Sequence, residues 1–190
     1  MADTISYYNA KAKEYIEDTI KVDMSFSRNR FLKHVKEGGH ILDFGCGSGR
    51  DSKEFLDLGY NVSATDGSIG ICEMASEYLG IEVKHMEFKD LVDIDRYDGI
   101  WACASILHLN SEELKEIFKK MKRAIRKDGA IYVSFKLGDF EGVRHERFFN
   151  YMNETKLANV IEDLKIVDTW ITCDGRIHRN TEKWINAILK

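Results

Sequence analysis

Proline is absent from the 190 residues, and cysteine occurs only four times. Without proline, turns must rest on glycine, asparagine and aspartate. The cysteines form no Cys-x-x-Cys pair, which argues against a disulfide framework and against a zinc cage, so we expect free thiols and no metal site. No apolar run approaches the ~20 residues that span a bilayer, and no basic segment followed by an apolar run opens the chain. We therefore expect a cytoplasmic protein without a membrane partner.

A basic excess is also missing, because 28 Lys and Arg stand against 32 Asp and Glu and the net charge is −4. Domains that hold nucleic acid by charge usually carry the opposite sign, so we expect no nucleic acid partner. The length suits one domain with a hydrophobic core, and no repeat or linker divides the chain. We expect a single domain over residues 1–190, as a monomer or homodimer, in which residues 1–37 form a helical cap or lid.

Strand and helix patterns alternate between residues 40 and 137. Short apolar runs predict strands over 41–44, 61–65, 81–88, 99–104 and 130–137. Spaced apolar residues and capping signals predict the intervening helices over 50–58, 69–78 and 111–126. This alternation is typical of a parallel sheet with helices on both faces.

The two ends of the chain depart from the alternation. Residues 7–18 and 26–36 predict two helices before the first strand. A helix over 154–163 is followed by strands over 165–172 and 182–190. Only a turn joins these last two strands, so they must run antiparallel.

A glycine-rich turn over residues 45–49 joins the first strand to the helix that begins at Arg50. Glycine allows a ligand to approach the backbone closely, and the amino end of the helix adds donors and positive potential. A dinucleotide site requires Gly-x-Gly-x-x-Gly, but here the third glycine comes one residue early. The spacing therefore disfavours an NAD-dependent oxidoreductase, and a plain tight turn is the other alternative.

Two aspartates accompany this turn. Asp43 lies two residues before Gly45, where a carboxylate suits a ligand with an ammonium group better than one with a pyrophosphate. Asp66 ends the second strand, 21 residues after Gly45, near the ~20-residue offset at which an acid binds ribose hydroxyls. A helix-capping role is the alternative for Asp66.

Segments in this order resemble the motifs of class I S-adenosylmethionine-dependent methyltransferases. The resemblance rests on residues 43–49, 65–68, 87–91, 97–108 and 128–132 and on the terminal strand pair. It implies a Rossmann-like α/β three-layer sandwich with a mostly parallel seven-stranded sheet, of order 3-2-1-4-5-7-6, in which strand 7 is antiparallel. It also implies S-adenosyl-L-methionine as the cofactor and S-adenosyl-L-homocysteine as its product.

A narrower resemblance is to small bacterial methyltransferases of the tellurite-resistance type. It rests on Tyr7 and Tyr8, on residues 148–151 and on residues 182–186. Because that group covers differing substrates, this resemblance implies no particular acceptor.

The resemblance to the class I enzymes also implies a set of cofactor-binding residues. Near the methionine part it places Asp43, Gly45, Cys46 and Gly47, together with the backbone of Ala102 and Cys103. Around the adenosine part it places Asp66, Gly67, Ser68, Glu87 and Phe88. Asp66 would hold the ribose, Glu87 would accept from the adenine amino group, and the Phe88 N–H would donate to the ring. Many relatives carry Asp where Glu87 stands, so Asp90 is the alternative to Glu87.

Residues that could touch a methyl acceptor lie in separate segments. His108 follows the fourth strand at the ligand-binding edge and could act as a base, or it could make a structural hydrogen bond. Tyr7, Tyr8 and Tyr15 could form a lid or could pack on the core, and Tyr7 and Tyr15 are candidate acceptor-binding residues. The polar stretch over residues 138–151 is typical of a functional loop.

Basic side chains are concentrated in that stretch and in the last turn. The candidate acceptor-binding residues there are Glu141, Arg144, Arg147, Tyr151 and Arg176. They predict an anionic acceptor held by charge-assisted hydrogen bonds. The alternative is a set of surface ion pairs with Asp139, Glu146 and Asp174.

The leading hypothesis is therefore an enzyme that transfers methyl from S-adenosylmethionine to a small, polar or anionic molecule. An RNA or protein methyltransferase is the alternative within the same chemistry. A cofactor-binding protein without catalysis is the alternative from another class.

Overall fold

The computed structural model describes residues 4–179 and 181–190. The first three residues of the predicted cap, and Asn180 in the last turn, lie outside the described part of the chain. Six α-helices are found within it: α1 Thr4–Thr19, α2 Ser25–Leu32, α3 Arg50–Asp57, α4 Ile69–Leu79, α5 Ser111–Ala124 and α6 Glu154–Val160. None of these helices is long and apolar enough to cross a membrane.

Nine strands accompany the helices: β1 His40–Phe44, β2 Asn61–Asp66, β3 Val83–His85, β4 Tyr97–Ala102, β5 Ile125–Lys136, β6 Glu141–Arg144, β7 Arg147–Asn150, β8 Ile166–Cys173 and β9 Lys183–Leu189. Seven of them form one sheet in the order β3-β2-β1-β4-β5-β9-β8. The pairs from β3 to β5 are parallel, whereas β9 runs antiparallel to both of its neighbours. The predicted order and the antiparallel last strand are therefore confirmed.

Helices cover both faces of this sheet, and alternation along the strands directs side chains to each. Leu42 and Phe44 of β1 belong to the cluster that packs against α5 and α6. Ile41 and Trp101 face the other way, onto Phe31 of α2 and Phe55 of α3. The predicted three-layer sandwich is thus the observed one.

The predicted loop over 138–151 is instead largely a β-hairpin. Strands β6 and β7 pair from Glu141 with Asn150 to Arg144 with Arg147. The turn between them is formed by His145 and Glu146, both with positive φ. Because β6 is short and mostly exposed, it lacks the apolar alternation from which a strand is predicted.

Further bounds differ from the predictions. β3 covers only Val83–His85, because the chain turns into a short 3-10 helix over Phe88–Asp90. β5 begins already at Ile125, directly after α5. β4 also ends at Ala102 rather than at residue 104. The candidate site lies at the carboxyl ends of β1, β2 and β4.

Candidate functional site

The glycine-rich turn forms the floor of the site between β1 and α3. Gly45, Gly47 and Gly49 all have positive φ, which L side chains rarely adopt. A Cβ at Gly45 would come within 2.5 Å of the Ser105 Cβ, and one at Gly47 would come within 3.0 Å of the Tyr15 ring. The missing side chains therefore allow Ser105 and Tyr15 to pack directly against the turn.

Asp66 ties this turn to the end of β2. Its carboxylate accepts hydrogen bonds from the backbone N–H of Gly47 at 3.1 Å and from that of Ser68 at 2.9 Å. Ser68, not Asp66, caps α4, through its hydroxyl and the N–H of Ile71. Burial raises the pKa of Asp66 above its ordinary value. Two backbone hydrogen bonds thus fix the position of the Asp66 carboxylate, which is a partly desolvated hydrogen-bond acceptor.

A wide cleft of about 620 Å³ opens beside Asp66. Its volume lies in the range of about 300–1,000 Å³ that is usual for small-molecule sites. Its lining includes Gly45, Gly47, Asp66, Gly67, Ser68, Glu87 and Phe88. The Glu87 carboxylate pairs with Lys89 at 2.9 Å, and the Phe88 ring stacks edge-on against Phe44.

A narrow cleft of about 130 Å³ continues on the other side of the turn. Asp43 and Cys46 line it, as do three residues beyond the turn: Arg50, Asp51 and Cys103. Burial, and then the neighbouring Asp51, raise the pKa of Asp43 to about 7. Its remaining partner is the Ser52 hydroxyl, which donates to it at 2.6 Å. A cationic ligand group would stabilise the charged form of this buried carboxylate.

Arg50 is one of the charged residues of this cleft that the sequence analysis did not assign to the site. Its guanidinium donates to both carboxylate oxygens of Asp51, at 3.1 and 2.6 Å, and to the Thr19 carbonyl at 3.2 Å. The sequence signal was its position directly after Gly49, at the amino end of α3.

The two clefts meet at Tyr8, Tyr15, Gly45, Ala104 and His108, which line both of them. Tyr8 and Tyr15 come from α1, which places this helix over the carboxyl edge of the sheet as the predicted lid would lie. An extended ligand could therefore pass from one cleft to the other beneath α1.

His108 is held at this junction by two hydrogen bonds. Its Nδ1 lies 2.6 Å from the Phe148 carbonyl oxygen, which can only accept, so Nδ1 carries the proton. Its Nε2 then accepts from the Tyr8 hydroxyl at 2.9 Å. Burial lowers the pKa of His108 to about 4 and raises that of Tyr8. The imidazole is therefore a neutral, oriented acceptor.

Arg147 completes this group from the start of β7. Its Nη1 donates to the Tyr8 oxygen at 3.2 Å, and its guanidinium lies 4.3 Å from the Tyr7 ring centroid and 5.0 Å from that of Phe149. The buried Nε of Arg147 has no hydrogen-bond partner among the described residues.

With this geometry, comparison with known proteins becomes informative. Residues 41–129, from β1 to the middle of β5, match the model of a family described as a methyltransferase domain. This match covers just under half of the chain and makes that part of it similar to methyltransferase domains. The prediction of a class I methyltransferase is confirmed at this level, and the observed sheet order agrees with it.

Solved structures share the fold of this protein along nearly the whole chain. The 1,6-didemethyltoxoflavin-N1-methyltransferase of Burkholderia thailandensis, solved with its substrate and S-adenosylhomocysteine, has a TM-score of 0.79 and 19% identity, over 99% of this chain and 85% of that one. A TehB-like methyltransferase of Corynebacterium glutamicum has a TM-score of 0.72 and 15% identity, over 95% and 98% of the two chains. At these low identities the comparison shows only a shared fold. The narrower resemblance to methyltransferases of the tellurite-resistance type therefore stays a prediction.

A curated relative with a known activity is the N-terminal Xaa-Pro-Lys N-methyltransferase 1 of Danio rerio. It is 32% identical over an alignment of 136 positions, which covers 64% of this chain and 60% of that protein. The chain spans about three fifths of the length of the curated relatives that it matches.

Most of the predicted cofactor residues line one cleft or the other. The exception is Ala102, which is buried at the end of β4 and lines neither. Ala104, with positive φ, takes its place at the junction. Asp90, the alternative to Glu87, lines neither cleft.

The predicted acceptor residues separate into two groups. His108, Tyr15, Arg147 and Arg176 line the narrow cleft, whereas Tyr7, Glu141, Arg144 and Tyr151 line neither cleft. We had placed Tyr7 rather than Tyr8 among the acceptor residues, but Tyr8 is the one that reaches the junction. Helical spacing could have indicated this, because residues 8 and 15 are seven apart and share a helix face.

The second group has structural partners instead. Glu141 accepts from the Ser111 N–H and hydroxyl, at 3.1 and 2.8 Å, at the start of α5. The guanidinium of Arg144 lies 3.8 Å from the centroid of the Phe140 ring. Tyr151 packs edge-on against that same ring. These four residues therefore lie outside both clefts, and their role in binding the acceptor stays a prediction.

Proposed function

We propose that this protein transfers the methyl group of S-adenosylmethionine to a small, polar acceptor. The observation that carries the proposal is the junction of the two clefts above the glycine-rich turn of a methyltransferase domain. One cleft is wide enough for a nucleoside, and the other is narrow and polar. The reacting atoms would meet between them, beneath α1.

The residues present fit this cofactor. Asp66 would accept from the ribose hydroxyls, and Glu87 and Phe88 lie where the adenine would be read. Asp43 would face the ammonium group of the methionine part. The cofactor supplies a methyl group that is already activated on a sulfonium, so the chain has mainly to position the acceptor and exclude water.

The size of the narrow cleft favours a small acceptor. An apolar cavity of about 150 Å³ holds a benzene molecule. The narrow cleft, at about 130 Å³, is close to that size and opens into the wide cleft at the junction. Space of this order suits a metabolite rather than a folded protein or an RNA.

The second candidate is methylation of a protein N-terminus. It is favoured by the 32% identity to the N-terminal Xaa-Pro-Lys N-methyltransferase 1 of Danio rerio. In that case α1 would have to move aside to admit a peptide. A non-catalytic cofactor-binding protein would lack methyl transfer altogether.

The first experiment is calorimetry with S-adenosylmethionine, S-adenosylhomocysteine and NAD. We expect binding of the first two only, and a loss of at least about tenfold in Asp66→Ala, since charge-assisted hydrogen bonds are worth about 1.5–3 kcal/mol each. Asp90→Ala is the matched control, because Asp90 lies outside both clefts. Unchanged affinity in Asp66→Ala would contradict the assignment.

The second experiment identifies the acceptor. The protein is incubated with methyl-labelled cofactor and either a metabolite extract or a set of peptides with free N-termini. Label in small molecules alone supports the proposal, label in peptides supports the second candidate, and label in neither despite tight cofactor binding supports a non-catalytic role.

A further inference from the structure

We propose that the narrow cleft contains an anion-binding subsite centred on Arg147, so that the methyl acceptor is a small acid. This inference rests on the proposed function and names the substrate class. It differs from the expectation drawn from sequence, which spread the task over several arginines.

Three of the other four Arg and Lys side chains that line the narrow cleft are already neutralised by carboxylates. The fourth, Arg179, has no ion pair among the described residues, but it also has no buried donor without a partner. Arg50 is paired with Asp51 through two hydrogen bonds. Arg176 is paired with Asp174 at 2.6 Å and with Asp18 at 3.3 Å. These pairs confirm, for Arg176, the alternative of an internal ion pair.

Lys136 is also paired with a carboxylate. Its Nζ contacts the Glu182 carboxylate and lies within 6 Å of the ring centroids of Phe149, Tyr151 and Trp184. The ammonium group is thus both paired and enclosed, which leaves it little capacity for a ligand.

Arg147 is different, because no carboxylate lies within ion-pair distance of it in the described part of the chain. One of its donors is used by the Tyr8 oxygen, and its buried Nε is used by none. A buried donor without a partner is unfavourable, so a site that retains one is suited to a ligand that supplies the acceptor. Guanidinium matches carboxylates and other planar oxyanions with two parallel hydrogen bonds.

The surroundings hold Arg147 in place for this task. The rings of Tyr7 and Phe149 pack against its guanidinium at 4.3 and 5.0 Å. Stacked aromatic rings fix the plane of the guanidinium without consuming its donors. The aromatic walls also favour an acid with a flat apolar body.

The subsite lies beside the reacting position. Arg147 and His108 both bond to the hydroxyl of Tyr8, which lines both clefts. An anionic group on Arg147 would therefore place the rest of a small acceptor at the junction of the clefts. The charge would anchor the acceptor and leave a neighbouring atom free to be methylated.

The test uses the protein saturated with S-adenosylhomocysteine, with benzoate as the probe and benzamide as its neutral counterpart of the same shape. Binding is followed by titration in nuclear magnetic resonance spectra. We expect benzoate to bind at least about tenfold more tightly than benzamide, the difference that one charge-assisted hydrogen bond provides.

Arg147→Gln should remove this preference, whereas Arg144→Gln should keep it. Arg144 is a matched control, because it faces Arg147 across the hairpin but is exposed and lies outside the cleft. Affinity for S-adenosylhomocysteine and the thermal midpoint are measured for each variant, so a folding defect is recognised.

Three outcomes would overturn the inference. Benzoate could bind no better than benzamide to the unaltered protein, which requires no variant. The preference could survive in Arg147→Gln, or it could be lost equally in Arg144→Gln. In each case the proposed function would still stand if the protein binds S-adenosylhomocysteine. If the unaltered protein does not bind S-adenosylhomocysteine, the proposed function itself is contradicted.

Discussion

The enclosure of His108 predicts a measurable dependence of stability on pH. Burial lowers the pKa of this ring from 6.5 to about 4. Below its ordinary pKa the unfolded chain takes up a proton that the folded protein does not bind until about pH 4. The stability due to the neutral ring is therefore complete above pH 6.5 and is lost as the pH falls towards 4.

The size of this loss follows from the two pKa values. Between about pH 8 and about pH 5 the unfolded ring becomes almost fully charged while the folded ring stays neutral, which lowers the free energy of unfolding by roughly 2 kcal/mol. In His108→Gln this contribution disappears. The stability of the unaltered protein should thus fall about 2 kcal/mol more than that of the variant over the same range.

The assay is urea unfolding, followed by tryptophan fluorescence, at about four pH values and one protein concentration. His145→Asn is the control, because His145 is exposed at the turn of the hairpin, and its positive φ suits asparagine. Its pH dependence should match that of the unaltered protein. Parallel curves for the unaltered protein and His108→Gln would refute the reasoning, since they would mean that His108 is charged or solvated in the folded state.

Three further predictions concern the cofactor cleft and the core. Because the pKa of Asp43 is about 7, calorimetric affinity for S-adenosylhomocysteine should rise about tenfold from about pH 6 to about pH 8, and Asp43→Asn should flatten the rise. Gly47→Ala should cost at least about 1 kcal/mol of stability and weaken that binding, whereas Gly59→Ala, with a similar φ but open space around it, should cost stability alone; equal effects on binding would contradict this. Asn186→Leu should destabilise the fold by about 1–3 kcal/mol in denaturation, since it leaves the buried Tyr132 hydroxyl without its 2.7 Å partner. Combining it with Tyr132→Phe should recover part of that loss, and strict additivity would argue against the pairing.

The fold was predictable because its signals are local. Alternating apolar runs and glycine stops mark each strand and helix between β1 and β5, and each element's face follows from its own periodicity. The antiparallel position of β9 follows from the short turn after β8. The β6–β7 hairpin was missed because β6 is exposed and its pairing depends on residues across the turn rather than on a buried face.

The cofactor side of the candidate site was predictable for the same reason. Gly45, Gly47 and Asp66 act through backbone geometry that a few neighbouring residues determine, so their spacing alone indicates their use. Arg50 could have been added from its place at the amino end of α3. Ala104 could not, because its position at the junction depends on how the chain turns after β4.

The acceptor side was decided by tertiary structure. Arg147 and Arg176 are equivalent in sequence, as basic residues in segments that connect strands, but only Arg176 meets Asp18, 158 residues away along the chain. Tyr8 differs from Tyr7 only by which side of α1 faces the sheet, and that side is set by packing against distant elements. The type and charge of each residue are fixed by the sequence. Whether an arginine is paired with a carboxylate, and whether a ligand can reach it, depends on which distant segments meet in the folded protein.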